Sequence, residues 1–347
     1  MPPSVTRDLD YLAARLHGRC SRLAEGRVLD DLCRIRTVAE LARRLTPGQP
    51  CERGAELQRR LVRMMIDELG ELGQNLTGAG RRLVLWLRVR YQVETLKVVI
   101  RGVVNDVPLP TLRAQLADLP SDLALPIASL EASRDASPLD RLAGIAPPGP
   151  LQQGLLAAAG AYRERARPVV LELALDCAYL GQLRVLTDGL GEPERGEAAT
   201  LAALELDVHN LMLVLRGRHH YHLPAGELRA WHVPGGRWDA SSFDALLSAP
   251  DLAAALEVGG QRQFPGAPVP VDPEAFEARL WNRAFARAHA VFRRRHMRLG
   301  AVIGYAAIRR IELVNLITLT EGLRLGLEPL RIRERLIPRP TGDSDHV

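Results

Sequence analysis

The sequence predicts an all-α protein made of three related helical units, and three observations carry that expectation. Apolar residues recur at helical spacing along nearly the whole chain, as at Leu9, Leu12, Leu16 and Leu23, with arginines on the other face. No segment combines sustained alternation with β-branched enrichment, so no strand is expected. One helix ending is written three times, as "YQVETLKVVIRG" (91–102), "DVHNLMLVLRG" (207–217) and "RIELVNLITLTEG" (310–322).

The elements follow in chain order from period and punctuation. After the opening helix "RDLDYLAARLHGRCSRL", amphipathic runs predict helices near 28–45, 54–76 and 80–101. Further long helices are expected near 151–189, 196–216, 273–297 and 299–321, with shorter pieces near 109–117, 124–133, 224–231 and 241–257. The breaks between them are rich in Pro and Gly: "TPGQPCERG" (46–54), "SPLDRLAGIAPPGP" (137–150), "GLGEPERGE" (189–197), "HVPGGRWDASS" (232–242) and "GGQRQFPGAPVPVDP" (259–273). The breaks near 137–150 and 259–273 divide the chain into units at 1–136, 137–260 and 261–337, with 338–347 as a loose tail.

The repeated phrases align on Gly102, Gly217 and Gly322, which stand 115 and 105 residues apart. Seven residues before each glycine is a polar residue, Thr95, Asn210 or Asn315, followed by Leu96, Leu211 or Leu316. Three residues earlier stands another polar group, Gln92, Asp207 or Glu312, on the same helix face and able to bond a neighbouring helix or loop. Leu96, Val99 and Ile100 form one apolar stripe, as do Leu211, Val214 and Leu215. Each glycine is expected at the left-handed C′ position that ends its helix. Arg101 and Arg216 in the last turn complement the helix dipole, whereas Glu321 in the third copy does not. Each phrase leads into another opened by Leu and Pro: "LPTLRAQL", "LPAGELRAWHVP" and "LEPLRIRERLIP". Three matched units of this kind tend to pack side by side around a pseudo-threefold axis.

Composition narrows the function classes. With 347 residues, 47% hydrophobic, the chain buries a sizeable core. Its net charge of +5 is carried by arginine, because Lys97 is the single lysine. A phosphate-binding P-loop needs a lysine in a Gly-rich frame, and Lys97 lies in a helix interior. Gly-x-Ser-x-Gly, His-Glu-x-x-His and a Gly-rich dinucleotide turn are missing, so no catalytic residue or cofactor site is assigned. Cys20, Cys33, Cys51 and Cys177 show no C-x-x-C spacing, which favours reduced thiols. No apolar run reaches the roughly 18–20 residues of a bilayer span, and no signal-peptide core precedes the first charges, so a soluble intracellular chain is expected.

Three other features read more simply than they first suggest. His219, His220 and His222, with His209 and His232 nearby, lack three-ligand spacing on one face, so a solvated loop is expected and no metal is assigned. The clusters "RERAR" (163–167) and "RRRHMR" (293–298) lack aromatic stacking partners and read as solvated faces or protein interfaces, not nucleic-acid sites. The carboxylates of "DLD" (8–10) and "LDDL" (29–32) suit helix starts.

The phrases "YQVETLKVVIRGVVNDVP", "LELDVHNLMLVLRG" with "LRAWHVPGGR", and "IGYAAIRRIELVNLITLTEGLRLGLEPLRIRERLIP" resemble the C-type stalk family of archaeal and bacterial V-type (A-type) ATPases, equivalent to the d component of the vacuolar enzyme. The likeness runs from about 8 to 337 and includes Gly304, Tyr305, Glu312, Asn315 and Leu316 of the last unit, and "VVLELALDCAYLGQL" before the second. Thr95 stands where the family has Asn, and "LTEG" replaces "LRG" in the third copy. The resemblance implies a non-catalytic funnel of three helical units at the cytoplasmic face of the membrane. Its partners would be the proteolipid ring and the central shaft of the D and F subunits, with the A/B head engaged indirectly. It would transmit torque for proton or sodium transport or for ATP synthesis. Arg101, Asn210, Arg216, Glu312 and Asn315 are then expected to serve packing between units. A cytosolic helical-repeat scaffold with another partner in its central cavity, and an arginine-rich RNA-binding protein, are the competing readings.

Overall fold

The computed structural model describes residues 9–165, 167–294 and 298–338, and among them every regular element is a helix. The expected tail lies outside the described residues apart from Pro338, as do Asp8 and parts of both arginine clusters.

Local chemistry sets the helix limits. The first three helices are α1 (Leu9–Cys20), α2 (Gly26–Cys33) and α3 (Val38–Leu45). The run expected at 28–45 is thus two helices, because Thr37 turns extended and caps α3 by accepting from the Glu40 N–H. The long helices α4 (Gly54–Gln74) and α5 (Gly78–Val104) follow, then α6 (Leu109–Gln115) and α7 (Ser129–Ala132). The break expected at 137–150 contains α8 (Pro138–Ile145), capped by Ser137 with Pro138 in its first turn.

The run expected at 151–189 is three helices, α9 (Pro150–Ala157), α10 (Ala159–Arg165) and α11 (Pro168–Asp188). Pro168 has no N–H to continue a helix, so it starts one instead. Next are α12 (Glu194–Gly217) and α13 (Ala225–Ala230), then α14 (Ala240–Leu247) and α15 (Leu252–Gln263). The last two divide the run expected at 241–257, where Asp251 caps α15 after Pro250. The chain closes with α16 (Pro273–Arg294), α17 (Leu299–Arg324) and α18 (Pro329–Arg333).

The helices gather into two compact units, each assembled from separate stretches of chain. One takes its described residues from Met1–Gly80, Gly191–Leu201 and Pro270–Val347. Its axis is α17, buried around most of its circumference and packed by α16, α4, α1 and α3. Gly304 lets α16 come close: a Cβ there would lie 2.7 Å from the Phe292 backbone nitrogen. From α4, Leu57, Leu61, Met65, Leu69 and Leu72 form the buried stripe. Each such side chain contributes about 1.5–3 kcal/mol on leaving water. The surface pairs Arg60–Glu56 and Arg63–Asp67 on the same helix contribute ~0.3–0.5 kcal/mol each, so the stripe decides the packing.

The other unit comprises Arg81–Leu190 and Ala202–Val269. In it α9 lies against α11, with Gly154 so near that a Cβ would stand 2.9 Å from the Ala178 Cβ. A chain of short helices, α13 on α14 and α14 on α15, completes it. The single lysine, Lys97 of α5, pairs with Asp176 of α11 at 2.6 Å.

The sequence leads one to expect no apolar run of bilayer length, yet α12 is long and apolar enough to cross a membrane by length and composition alone. Its most apolar stretch has a mean hydropathy of 1.4, and 56% of that stretch is buried inside the protein. The helix also carries the buried polar residues Asp207 and Asn210, both bonded to backbone, as suits a core helix.

Candidate functional site: three helix ends and a buried ion network

The three repeated phrases share one backbone device. The Gly102 carbonyl accepts from the Val107 N–H at 2.8 Å, Gly217 from Leu223 at 2.8 Å, and Gly322 from Leu327 at 2.9 Å. Just before each donor is a left-handed residue: Asp106 (φ 54°), His222 (φ 53°) and Gly326 (φ 66°). In the first and third copies this is the six-to-one bond of a Schellman cap, while the second loop is one residue longer.

The repeated glycines are therefore not the C′ residues that the sequence leads one to expect, since none of the three has a positive φ. What each provides is room for the next helix. A Cβ at Gly102 would lie 2.6 Å from Leu112, one at Gly217 2.8 Å from Leu228, and one at Gly322 2.6 Å from Ile332. Leu112, Leu228 and Ile332 are themselves buried, on α6, α13 and α18 respectively. Gly322→Ala is expected to destabilise by about 1–2 kcal/mol net, overpacking outweighing the gain in helix propensity. A double-mutant cycle with Ile332→Ala, read by urea denaturation, should show that the two substitutions couple.

The polar residues upstream act as clasps on the chain returning from each short helix. Asn210 donates to the Val233 carbonyl at 2.8 Å and accepts from the Val233 N–H at 3.0 Å. Asn315 does the same with Ile337, at 2.6 and 2.8 Å. In the first copy Thr95 is too short to reach out and bonds its own helix at the Tyr91 carbonyl, 2.8 Å away. Gln92, one turn earlier, takes over and donates to the Leu123 carbonyl. Asp207 accepts from the Arg237 N–H at 2.6 Å, and Gly236 leaves space for its carboxylate. Arg101 makes a two-pronged contact with Glu172 of α11 at 2.8 and 2.9 Å, beyond its place at the helix end. Arg216 is exposed on the last turn of α12.

Glu312, the third-copy counterpart of Asp207, turns elsewhere. It accepts from the Ala24 N–H at 2.6 Å and joins a network centred on Glu68 of α4. Glu68 accepts from the Tyr305 hydroxyl at 2.6 Å, from Arg309 at 3.0 Å and from Arg19 at 3.2 Å. Arg309 Nη1 and Glu312 Oε2 stand 2.8 Å apart as an ion pair, although not aligned as a hydrogen bond. Both side chains are only 8% exposed. Burial pushes the Glu312 carboxyl up from its ordinary value, and Arg309 and the Ala24 N–H only partly oppose the shift. Burial, followed by the Glu68 charge, raises the Tyr305 hydroxyl in the same way and keeps it a donor.

Sequence reasoning singles out Tyr305 and Glu312 but misses Glu68, Arg19 and Arg309. The signal was there: Glu68 interrupts the apolar stripe of α4, three residues after Met65 and four before Leu72. A carboxylate in such a place needs a partner from another element. The histidines divide as well: His209 bonds the Trp231 carbonyl at 3.1 Å and His232 the Trp238 carbonyl at 2.7 Å. Among the described residues no three His, Cys, Asp or Glu side chains gather as a metal ion would need. All four cysteines are free thiols.

The polar groups assembled here bond backbone or one another, which defines a class of helical module whose special residues are joints between elements. The chain belongs to the ATP synthase (C/AC39) subunit family, whose sequence pattern matches residues 12–335. This is the C/d family of the V/A-type ATPases, and the chain is accordingly an accessory subunit of such a complex. No curated protein matches the chain.

Proposed function

We propose that the protein is the central-stalk rotor subunit that joins the D/F shaft to the proteolipid ring and passes torque between them, without chemistry of its own. The observation that carries this reading is the family match over residues 12–335. A torque-bearing part must resist shear between its helices. The backbone clasps of Asn210 and Asn315 and the close helix approaches at Gly102, Gly217 and Gly322 suit that task. On this reading three units, at 1–136, 137–260 and 261–337, surround a pseudo-threefold axis as a funnel. The subunit is peripheral, at the cytoplasmic face of the membrane.

The test is a pull-down of the tagged full chain from native membranes after mild detergent extraction, with partners identified by mass. The A, B, D and F subunits together with a small proteolipid are expected. A stably expressed chain that brings down none of them would overturn the rotor reading in favour of a helical scaffold with another partner.

A further inference from the structure

In the unit built on α17, a cavity of about 400 Å³ opens beside the Glu68 network. That volume falls within the range of ligand and peptide-side-chain pockets. Leu61 and Leu316 contribute apolar lining, while Val28 and Met64, 47% and 43% exposed, are large apolar side chains left in water. The charges are unbalanced. Glu68 and Glu312 are matched by Arg19 and Arg309, but Arg22 and Arg44 also line the cavity, and neither has an ion-pair partner among the described residues. The cavity thus offers two uncompensated guanidinium groups beside exposed apolar surface. Arginine favours carboxylate because its planar fork matches that group's geometry.

We propose that this cavity docks an acidic, apolar-flanked peptide segment of a partner subunit, with carboxylates meeting Arg22 and Arg44 and aliphatic side chains covering Val28 and Met64. Charge complementarity selects this occupant: a basic or uncharged segment would leave both guanidinium groups unpaired under the interface, which costs affinity. The polar wall is already formed, because Glu68 and Arg309 hold each other in place before anything binds. The proposal rests on the chain being a subunit in a larger assembly, as argued above.

The experiment places photo-cross-linking benzoylphenylalanine at position 64 of the full chain (Met64→benzoylphenylalanine) in the assembled complex, with the adduct mapped by mass. The expected adduct is a peptide of another subunit carrying Asp or Glu beside Leu, Ile or Val. Arg22→Glu combined with Arg44→Glu should cut its yield at least tenfold, while circular dichroism and Tm of the isolated chain stay unchanged. An adduct to lipid, to a segment without acidic residues, or none at all, would overturn the proposal, as would a yield indifferent to charge reversal. If the chain does not co-purify with any complex, the functional reading and this proposal fall together. If it co-purifies but position 64 meets no such segment, only this proposal falls.

Discussion

Glu68→Ala is expected to destabilise the unit built on α17 by about 3–5 kcal/mol, the cost typical of removing one partner from a buried ion pair. The carboxylate receives Tyr305, Arg309 and Arg19, so its loss strips partners from groups on α17 and α1 together. Arg309 would be left with Glu312 alone, at only 8% side-chain exposure. Glu68→Gln should cost less, because one amide oxygen can still accept from Tyr305 or Arg309. Urea denaturation of the wild type and both variants checks the order, and equal losses for Gln and Ala would show that the retained amide oxygen contributes nothing and that the loss follows the carboxylate charge.

The neighbouring Glu312 gives the same network a pH signature. Its folded-state pKa is raised above the unfolded value, so the folded chain holds the proton more readily. The stability contribution of this group therefore falls as pH rises from the ordinary carboxylate range through the raised value. Glu312→Gln should remove that part of the pH dependence, visible in the same denaturation series repeated across the acidic range.

Asn315→Ala is the second large effect, expected at about 2–4 kcal/mol, because truncation orphans two backbone groups where water has little access and each costs about 1–3 kcal/mol. The amide satisfies both the N–H and the carbonyl of Ile337, and both contacts are buried. Hydrogen exchange locates the damage: the Ile337 amide should lose protection before the amides in the middle of α17 do. Asn210→Ala should have a similar effect at Val233 in the other unit, because its geometry is the same. Thr95→Ala should be mild, since Thr95 bonds only within its own helix.

These contrasts mark how far the sequence is legible. Helical periodicity is enough for the all-α class and for every long helix, because an amphipathic stripe is a local property of roughly 11–18 residues. Spacing alone also finds the repeated phrase and its polar positions. Where reading the sequence errs, short-range punctuation has been passed over. Pro168 and the caps at Thr37 and Asp251 split runs whose apolar period continues without a break.

The remaining differences come from tertiary structure. A glycine before a turn reads as a left-handed cap, yet the caps fall on Asp106, His222 and Gly326, and the repeated glycines serve the approach of Leu112, Leu228 and Ile332. Only the packed fold can distinguish a glycine needed for its φ from one needed for its missing Cβ. Likewise the sequence by itself determined that Asn210, Asn315, Asp207 and Glu312 share one kind of position. It could not determine that Asp207 holds the loop at Arg237 while Glu312 reaches both Arg309, one turn away, and Ala24, near the other end of the chain. The periodicity of a helix is written in neighbouring residues. The partner of a buried charge is set by whichever distant element the packing brings within about 3 Å, the reach of a hydrogen bond.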